Sequence, residues 1–416
     1  MTPVSWTAQP GKTRKTLAIL GAFCLFLSTV EYLIPKPIPF MRIGIANLPL
    51  MLALDILPLK SFLLLLGIKV IGQGIISGTL FSYILLFSLT GTCVSALSMF
   101  ALRRFWGPKR IGMAGISVLG ALLSNGAQLA LARFFIFGQS VRYIVPPFLA
   151  MGLVTALVLG LFCECFIRRS RWYAGDAVLE KEEGGERSGG QQPHTSYAPS
   201  SLWFFSPQTW KIFRERRRGM YERLFSGEEL CLAGLLMMPA MVFNPNTYFR
   251  VLQFLFFWFF AWLSGKKNNP LITILIILGI TAFNLTVPYG QVLFSFGPVR
   301  ITAGALLGGI QRAVTLEALI MLSRATIRHD LRLPGSFGKL IGESFRILAC
   351  IRKRKQGFTR KNLVTAIDNL MIELSEPGEG AAAETPSAPR RHSTAMGRII
   401  LGAAAVLAWL PWLFIP

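Results

Sequence analysis

Long apolar runs separated by short polar connections fill the first 167 residues of the chain. Thr16 to Leu33 follows Lys12, Arg14 and Lys15 and approaches the ~20 apolar residues that a bilayer-crossing helix needs. Pro35, Pro37 and Pro39 come next with no small-residue cleavage pattern, so the run reads as a retained helix and not as a cleaved signal. Further runs at 43–58, 61–77, 79–102, 112–136 and 143–167 bring the expected crossings of this first block to six. With the N-terminus placed in the cytoplasm, the inner connections hold Lys60, then Arg103, Arg104, Lys109 and Arg110, then Arg168, Arg169 and Arg171. The outer ones hold only Lys36, Arg42 and Arg142, which is the positive-inside bias.

The pattern changes over 169–227. The tract Glu180 to Gln192 has nothing apolar to bury and reads as a linker. In Lys211 to Phe225, five arginines mix with Phe213 and Tyr221, which suits either an interfacial helix on anionic membrane lipid or a partner-docking surface. A second block of apolar runs follows at 229–243, 249–264, 270–287 and 301–323, with Lys266, Lys267, Arg324 and Arg328 at the ends expected inside. Next, Phe337, Leu340, Ile341, Phe345, Leu348 and Ile351 recur at helical spacing, as do Leu363, Ile367, Leu370, Met371 and Leu374, so 331–374 should hold amphipathic cytoplasmic helices. A second linker, Glu376 to Ser393, leads to a last span at 397–415. The expected organisation is a six-helix membrane domain over 1–168, a cytoplasmic linker with a basic amphipathic segment over 169–227, and a second membrane domain over 228–416. The fold class is all-α integral membrane, with about eleven transmembrane helices and the N-terminus cytoplasmic.

Composition narrows the function classes. Hydrophobic residues make up 53% of the 416 and charged residues 15%, against about a quarter charged in soluble domains, which excludes a soluble fold. The net charge of +23 sits at the ends of apolar segments and not on one polar face, so nucleic acid is not an expected partner. Cys163 and Cys165 have no histidine beside them, and His194, His329 and His392 lack ligand spacing, so neither a metal nor another cofactor is implied. There is no P-loop pattern and no Asp-Asp pair, and no catalytic residue is assigned.

Polar groups in mid-span carry the candidate chemistry, because burying them in lipid is costly. Lys69 lies near the centre of 61–77 with Gln73 and Ser77 on the same face, suited to a small polar or anionic solute; the competing reading is an internal ion pair with a carboxylate such as Glu31. Ser124, Asn125 and Gln128 project from 112–136, serving either a site or ordinary interhelical hydrogen bonding. The proline-rich loop runs into Arg42, Gly44 and Asn47 and reads as a lid or as a plain connector. Asp55, Glu164 and Glu317 read as structural, Glu164 by pairing with Arg168 one turn away. Ala18 and Ala22, flanking Gly21, leave one face of the first helix small enough for another helix to approach.

Three stretches, PFMRIGIANLPLMLAL (39–54), LLLLGIKVIGQGIISGTL (63–80) and VLGALLSNGAQLALA (118–132), resemble the Gx transporter family, also labelled heptaprenyl diphosphate synthase component I. The resemblance covers about 16–167 and implies a likeness to the substrate-binding S components of energy-coupling factor transporters. It would make 34–42 a lid over a vitamin-sized ligand and Ala18 and Ala22 the contact with the coupling subunit. The second block resembles that subunit, the T component, through VRITAGALLGGIQRAVTLEALIMLSRATI (299–327) and its order of spans and cytoplasmic helices. Its ATPase-docking Ala-Arg-Gly motifs are absent; the nearest stretch is Ala-Cys-Ile-Arg at 349–352, leaving Arg346, Arg352, Lys353 and Arg354 to meet an acidic partner. The expected function is therefore a fused capture and coupling protein for uptake of a micronutrient, energised by separate ATPases. The rivals are a noncatalytic accessory subunit of a prenyl diphosphate synthase and a membrane anchor that recruits partners.

Overall fold

The protein is described here by a computed structural model, which covers residues 10–33, 44–174, 207–266, 268–296, 299–328, 331, 334–353, 363–375 and 392–414. In the first block, α1 (Pro10–Leu33) is followed by a 3-10 turn (Ile45–Asn47) that leads into α2 (Leu48–Ala53), then by α3 (Leu59–Ser77), α4 (Tyr83–Arg110) and α5 (Met113–Ala132). A π turn (Arg133–Phe137) and a 3-10 turn (Gly138–Tyr143) connect α5 to α6 (Val145–Arg169), and the four-residue α7 (Arg171–Ala174) closes the block. The second block holds α8 (Pro207–Leu224), α9 (Gly227–Val242), α10 (Thr247–Leu263), α11 (Pro270–Leu285), a hairpin of β1 (Val292–Phe296) and β2 (Val299–Thr302), and α12 (Ala303–Thr326). It ends with α13 (Gly335–Lys353), α14 (Leu363–Ser375) and α15 (Ala395–Trp409).

Local sequence explains several boundaries. Gly78, at φ 62°, takes the left-handed position that terminates α3. Ser226, Asn246 and Thr394 cap α9, α10 and α15, each side chain accepting from a backbone N–H two or three residues on. The hairpin, which had no place in the sequence reading, pairs Ser295 with Arg300 and Phe296 with Val299 in antiparallel register.

This is an all-α, multi-pass membrane protein. Among the described residues, seven helices are long and apolar enough to cross a membrane, or eight if the α8–α9 pair, bent by 89°, counts as one span. Two further apolar helices, α10 and α11, have 17 and 16 residues, about 25 Å at 1.5 Å per residue. Of the eleven expected crossings, 43–58 is the one whose helix is far too short to cross. Its α2 spans six residues, about 9 Å against the ~30 Å of a hydrocarbon core. Gly44 at φ 87° and Pro58 bound the segment, and every residue of α2 is buried. The run is apolar because it is packed inside the bundle, not because it faces lipid.

Two cores organise the chain. In the second block α12 is buried on all sides from Ala313 to Ser323 and packs against α9, α10 and α11. In the first, α1, α2 and α3 share a core with α13 and α14. The amphipathic helices expected in the cytoplasm thus bury their apolar faces on the first block. A Cβ at Gly21 of α1 would lie 2.7 Å from Ser344 Oγ of α13, and one at Gly67 of α3 would lie 3.1 Å from the Phe337 ring.

Strict up-and-down alternation fails between the blocks. With α4, α5 and α6 each crossing once, the end of α3 belongs on the side opposite Lys266 and Arg324. The structure places a Gly78 Cβ 3.7 Å from Arg324 Cγ and 4.0 Å from Lys266 Nζ, and the Phe81 N–H donates to Ser323 Oγ. On the same flank, the α5–α6 connection meets α11 and α12, where Asn284 Nδ2 donates to the Ile136 carbonyl. The first block therefore meets the second through the end of α3 and the α5–α6 connection.

Candidate functional site

A cavity in the first block is built by all of its long helices except the flanks that meet α13. From α3, Lys69 is 2% exposed and its ammonium donates to Asn47 Oδ1. From the end of α1, the Glu31 carboxylate accepts the Ala46 N–H at 3.2 Å. The 44–47 turn is thereby held between an anion of α1 and a cation of α3. On α5, Gln128 Nε2 donates to Ser124 Oγ at 3.0 Å, whereas Gln128 Oε1 and Asn125 Nδ2 are buried with no partner among the described residues.

Glycines on the facing helices make room for these amides. A Cβ at Gly91 of α4 would stand 2.2 Å from Gln128 Nε2, and one at Gly152 of α6 would stand 1.9 Å from Asn125 Nδ2. Hydroxyls of Ser95, Ser117 and Thr155 complete a cavity of about 50 Å³. That volume holds a few waters or a small ion, at ~10–15 Å³ per water. A larger solute requires the amides or the 44–47 turn to move.

Asn47, Lys69, Asn125 and Gln128 thus share one cavity. Gln73 is half-buried on α3 and does not line it: one turn beyond Lys69 carries it about 6 Å along the axis and past the cavity wall. Arg42 and the lid stretch 34–42 lie outside the described residues, as do the tract 180–192 and Arg354. The unpartnered amide of Asn125 weighs against simple interhelical bonding, which would have given it a partner.

Ala18 and Ala22 are 3% and 0% exposed and share cores with Leu340, Ile341, Leu348 and Ile351 of α13. Arg346 and Arg352 are exposed on α13, away from the cavity. Asp55 receives a two-pronged contact from Arg103, at 2.7 and 2.6 Å, and a bond from the Tyr173 hydroxyl, while Glu164 pairs with Arg168 at 3.0 Å. Glu317 is 2% exposed in the α12 core. Among the lining residues, Glu31 entered the sequence reading only as an internal partner for Lys69, and it lines the same cavity. Gly91 and Gly152 carried no signal because their role depends on a helix remote in sequence.

Residues 20–166 match the family model described as heptaprenyl diphosphate synthase component I. The match reaches from α1 to the end of α6 and includes every wall of the cavity, so the cavity belongs to the component I-like domain. Residues 230–329 match a domain of unknown function (DUF8519), which spans α9 to α12. No curated protein matches the chain, and no solved structure does. Asp368 of α14 joins the component I-like domain to the second block: its carboxylate accepts from Ser170 Oγ and from the N–H groups of Arg171 at 3.0 Å and Trp172 at 3.1 Å.

Proposed function

We propose that the chain is a membrane transport protein of the energy-coupling factor type. Its component I-like domain captures a small polar or anionic micronutrient, and its second block couples that capture to cytoplasmic ATPase subunits. The observation that carries this reading is the buried donor of Asn125 and acceptor of Gln128, unsatisfied beside Lys69 and Glu31. An unsatisfied buried pair of this kind costs about 1–3 kcal/mol per group. A solute that both accepts and donates hydrogen bonds recovers that cost on binding.

Admission of the solute is expected to proceed by release of the 44–47 turn. Two contacts hold it, Glu31 with the Ala46 N–H and Lys69 with Asn47, and a bound anion competes with Asn47 for the ammonium. Coupling would run through α13, whose Ser344 touches Gly21 on the small-residue face of α1 and whose Arg346 and Arg352 remain open to an acidic partner.

The description of the matching family suggests a second reading, a noncatalytic accessory subunit of a prenyl diphosphate synthase. One experiment separates the two. The full-length protein is purified in mild detergent, and the proteins and small molecules retained with it are identified by mass spectrometry. ATPase subunits together with a metabolite that is absent from Lys69→Ala support transport; a soluble prenyl synthase with no such metabolite supports the accessory role. Retention of neither ATPases nor a Lys69-dependent metabolite would refute the transport reading.

A further inference from the structure

A second cavity, of about 730 Å³, lies where the end of α3 meets α8 and the ends of α10 and α12. It is lined by five cations, Arg214, Arg218, Lys266, Arg324 and Arg328, against two carboxylates, Glu215 and Glu222. We propose that this cavity binds a phosphate-bearing anion, the same group being supplied either by a soluble phosphorylated molecule or by the headgroup of an anionic lipid. The proposal does not rest on the transport reading.

The internal contacts leave positive charge over. Glu222 answers Arg218 at 2.8 Å. Arg328 donates to the carbonyls of Glu222 and Phe225 around the end of α8, and Lys266 donates to the Ile327 carbonyl at 2.6 Å. The Ile327 carbonyl orients the Lys266 ammonium without neutralising it. Neither Arg214 nor Arg324 has a hydrogen-bond or ion-pair partner among the described residues. Burial, and then the charges of Arg324, Arg218 and Arg328, lower the Lys266 pKa from 10.5 to about 8. So many like charges around one space repel unless an anion enters it.

Shape and chemistry favour phosphate. The volume falls within the ~300–1,000 Å³ of ordinary ligand sites, and the walls are concave, whereas an acidic protein partner needs an open face. Guanidinium groups take phosphate oxygens two at a time, and an ammonium adds a point charge. Ile75, Ser77 and the adjoining Gly78, at the end of α3, line one side of the cavity. An anion held here bridges the component I-like domain to the second block.

The test uses full-length protein in uncharged detergent, at constant chloride, with two probes. Inorganic diphosphate is titrated by calorimetry, and vesicles mixing phosphatidylglycerol with phosphatidylcholine are used before native mass spectrometry of retained lipid. The double variant Arg214→Gln/Arg324→Gln is compared with wild type and with Arg169→Gln, an exposed arginine at the end of α6. Diphosphate affinity falling at least tenfold in the double variant, and not in Arg169→Gln, supports a soluble phosphorylated ligand. Inert diphosphate with selective phosphatidylglycerol retention lost in the double variant supports a headgroup. The probe-free melting temperature of the double variant should equal or exceed that of wild type, because repulsion is removed, so loss of binding cannot be assigned to misfolding. The proposal is overturned if neither probe distinguishes the double variant from wild type, and an acidic protein then becomes the better occupant.

Discussion

Replacing Asp368 with alanine is expected to loosen α14 from the first block while leaving the membrane helices folded. Asp368 is 4% exposed, and its carboxylate accepts from Ser170 Oγ, Arg171 N–H and Trp172 N–H, the donors at the start of α7. A hydrogen bond to a charged acceptor contributes roughly 1.5–3 kcal/mol. Three bonds sharing one carboxylate do not add, and Arg171 lies at an exposed edge where water replaces its lost partner. The buried Trp172 N–H and Ser170 hydroxyl have no such substitute, and at roughly 1–3 kcal/mol for each neutral donor left unpaired the expected loss is about 3–5 kcal/mol. That corresponds to roughly a hundred- to several-thousand-fold rise in the local opening of residues 363–375. Asp368→Asn keeps one acceptor oxygen and should cost about 1–2 kcal/mol. Native-state hydrogen exchange of the full-length protein, read by mass spectrometry, measures both. A fall in protection of less than tenfold over 363–375 in Asp368→Ala, or an equal fall in α12, would refute the reasoning.

Three further outcomes are expected. Gly152→Ala should push the Asn125 amide out of the first cavity, since the new Cβ meets Asn125 Nδ2 at 1.9 Å; because that amide is the flexible end of a side chain, the melting temperature should change little while retention of any co-purifying solute falls at least tenfold, and unchanged retention would remove Asn125 from the site. Gly160→Ala is different, because its Cβ would stand 2.5 Å from the Ala114 backbone; α5 and α6 must separate, at a cost of about 1–3 kcal/mol, visible as a lower melting temperature in a thermal scan. For Lys266, the folded pKa of about 8 lies below the ordinary 10.5, so over that window the unfolded chain binds more protons. Stability should therefore rise as pH climbs from 8 towards 10.5. Unfolding measured across that range should show the slope in wild type and lose part of it in Lys266→Gln.

Periodicity and charge along the chain determined much of this architecture. Apolar runs of crossing length announced α1, α3, α4, α5, α6 and α12, and the spacing of Leu340, Ile341, Leu348 and Ile351 announced the buried face of α13. Lys69 and Asn125 stood out because a polar group in mid-span is costly wherever its helix goes. The helix readings succeed because helix formation and lipid burial depend on neighbours within a few turns.

Tertiary structure alone decided the rest. The run 43–58 has the hydropathy of a crossing helix, but α2 is apolar because it is packed inside the protein, and hydropathy does not separate a lipid-facing surface from a protein-facing one. Gln73 lay on the right face at the wrong depth. Gly91 and Gly152 acquired a role only when α4 and α6 brought them against amides of α5. The cluster of Arg214, Lys266 and Arg324 beside Gly78 runs against the sidedness that loop charges imply. Charge counting assigns a side to each connection on the assumption that all helices stand parallel, and the angle at which one block packs on another is set by contacts far apart in the chain.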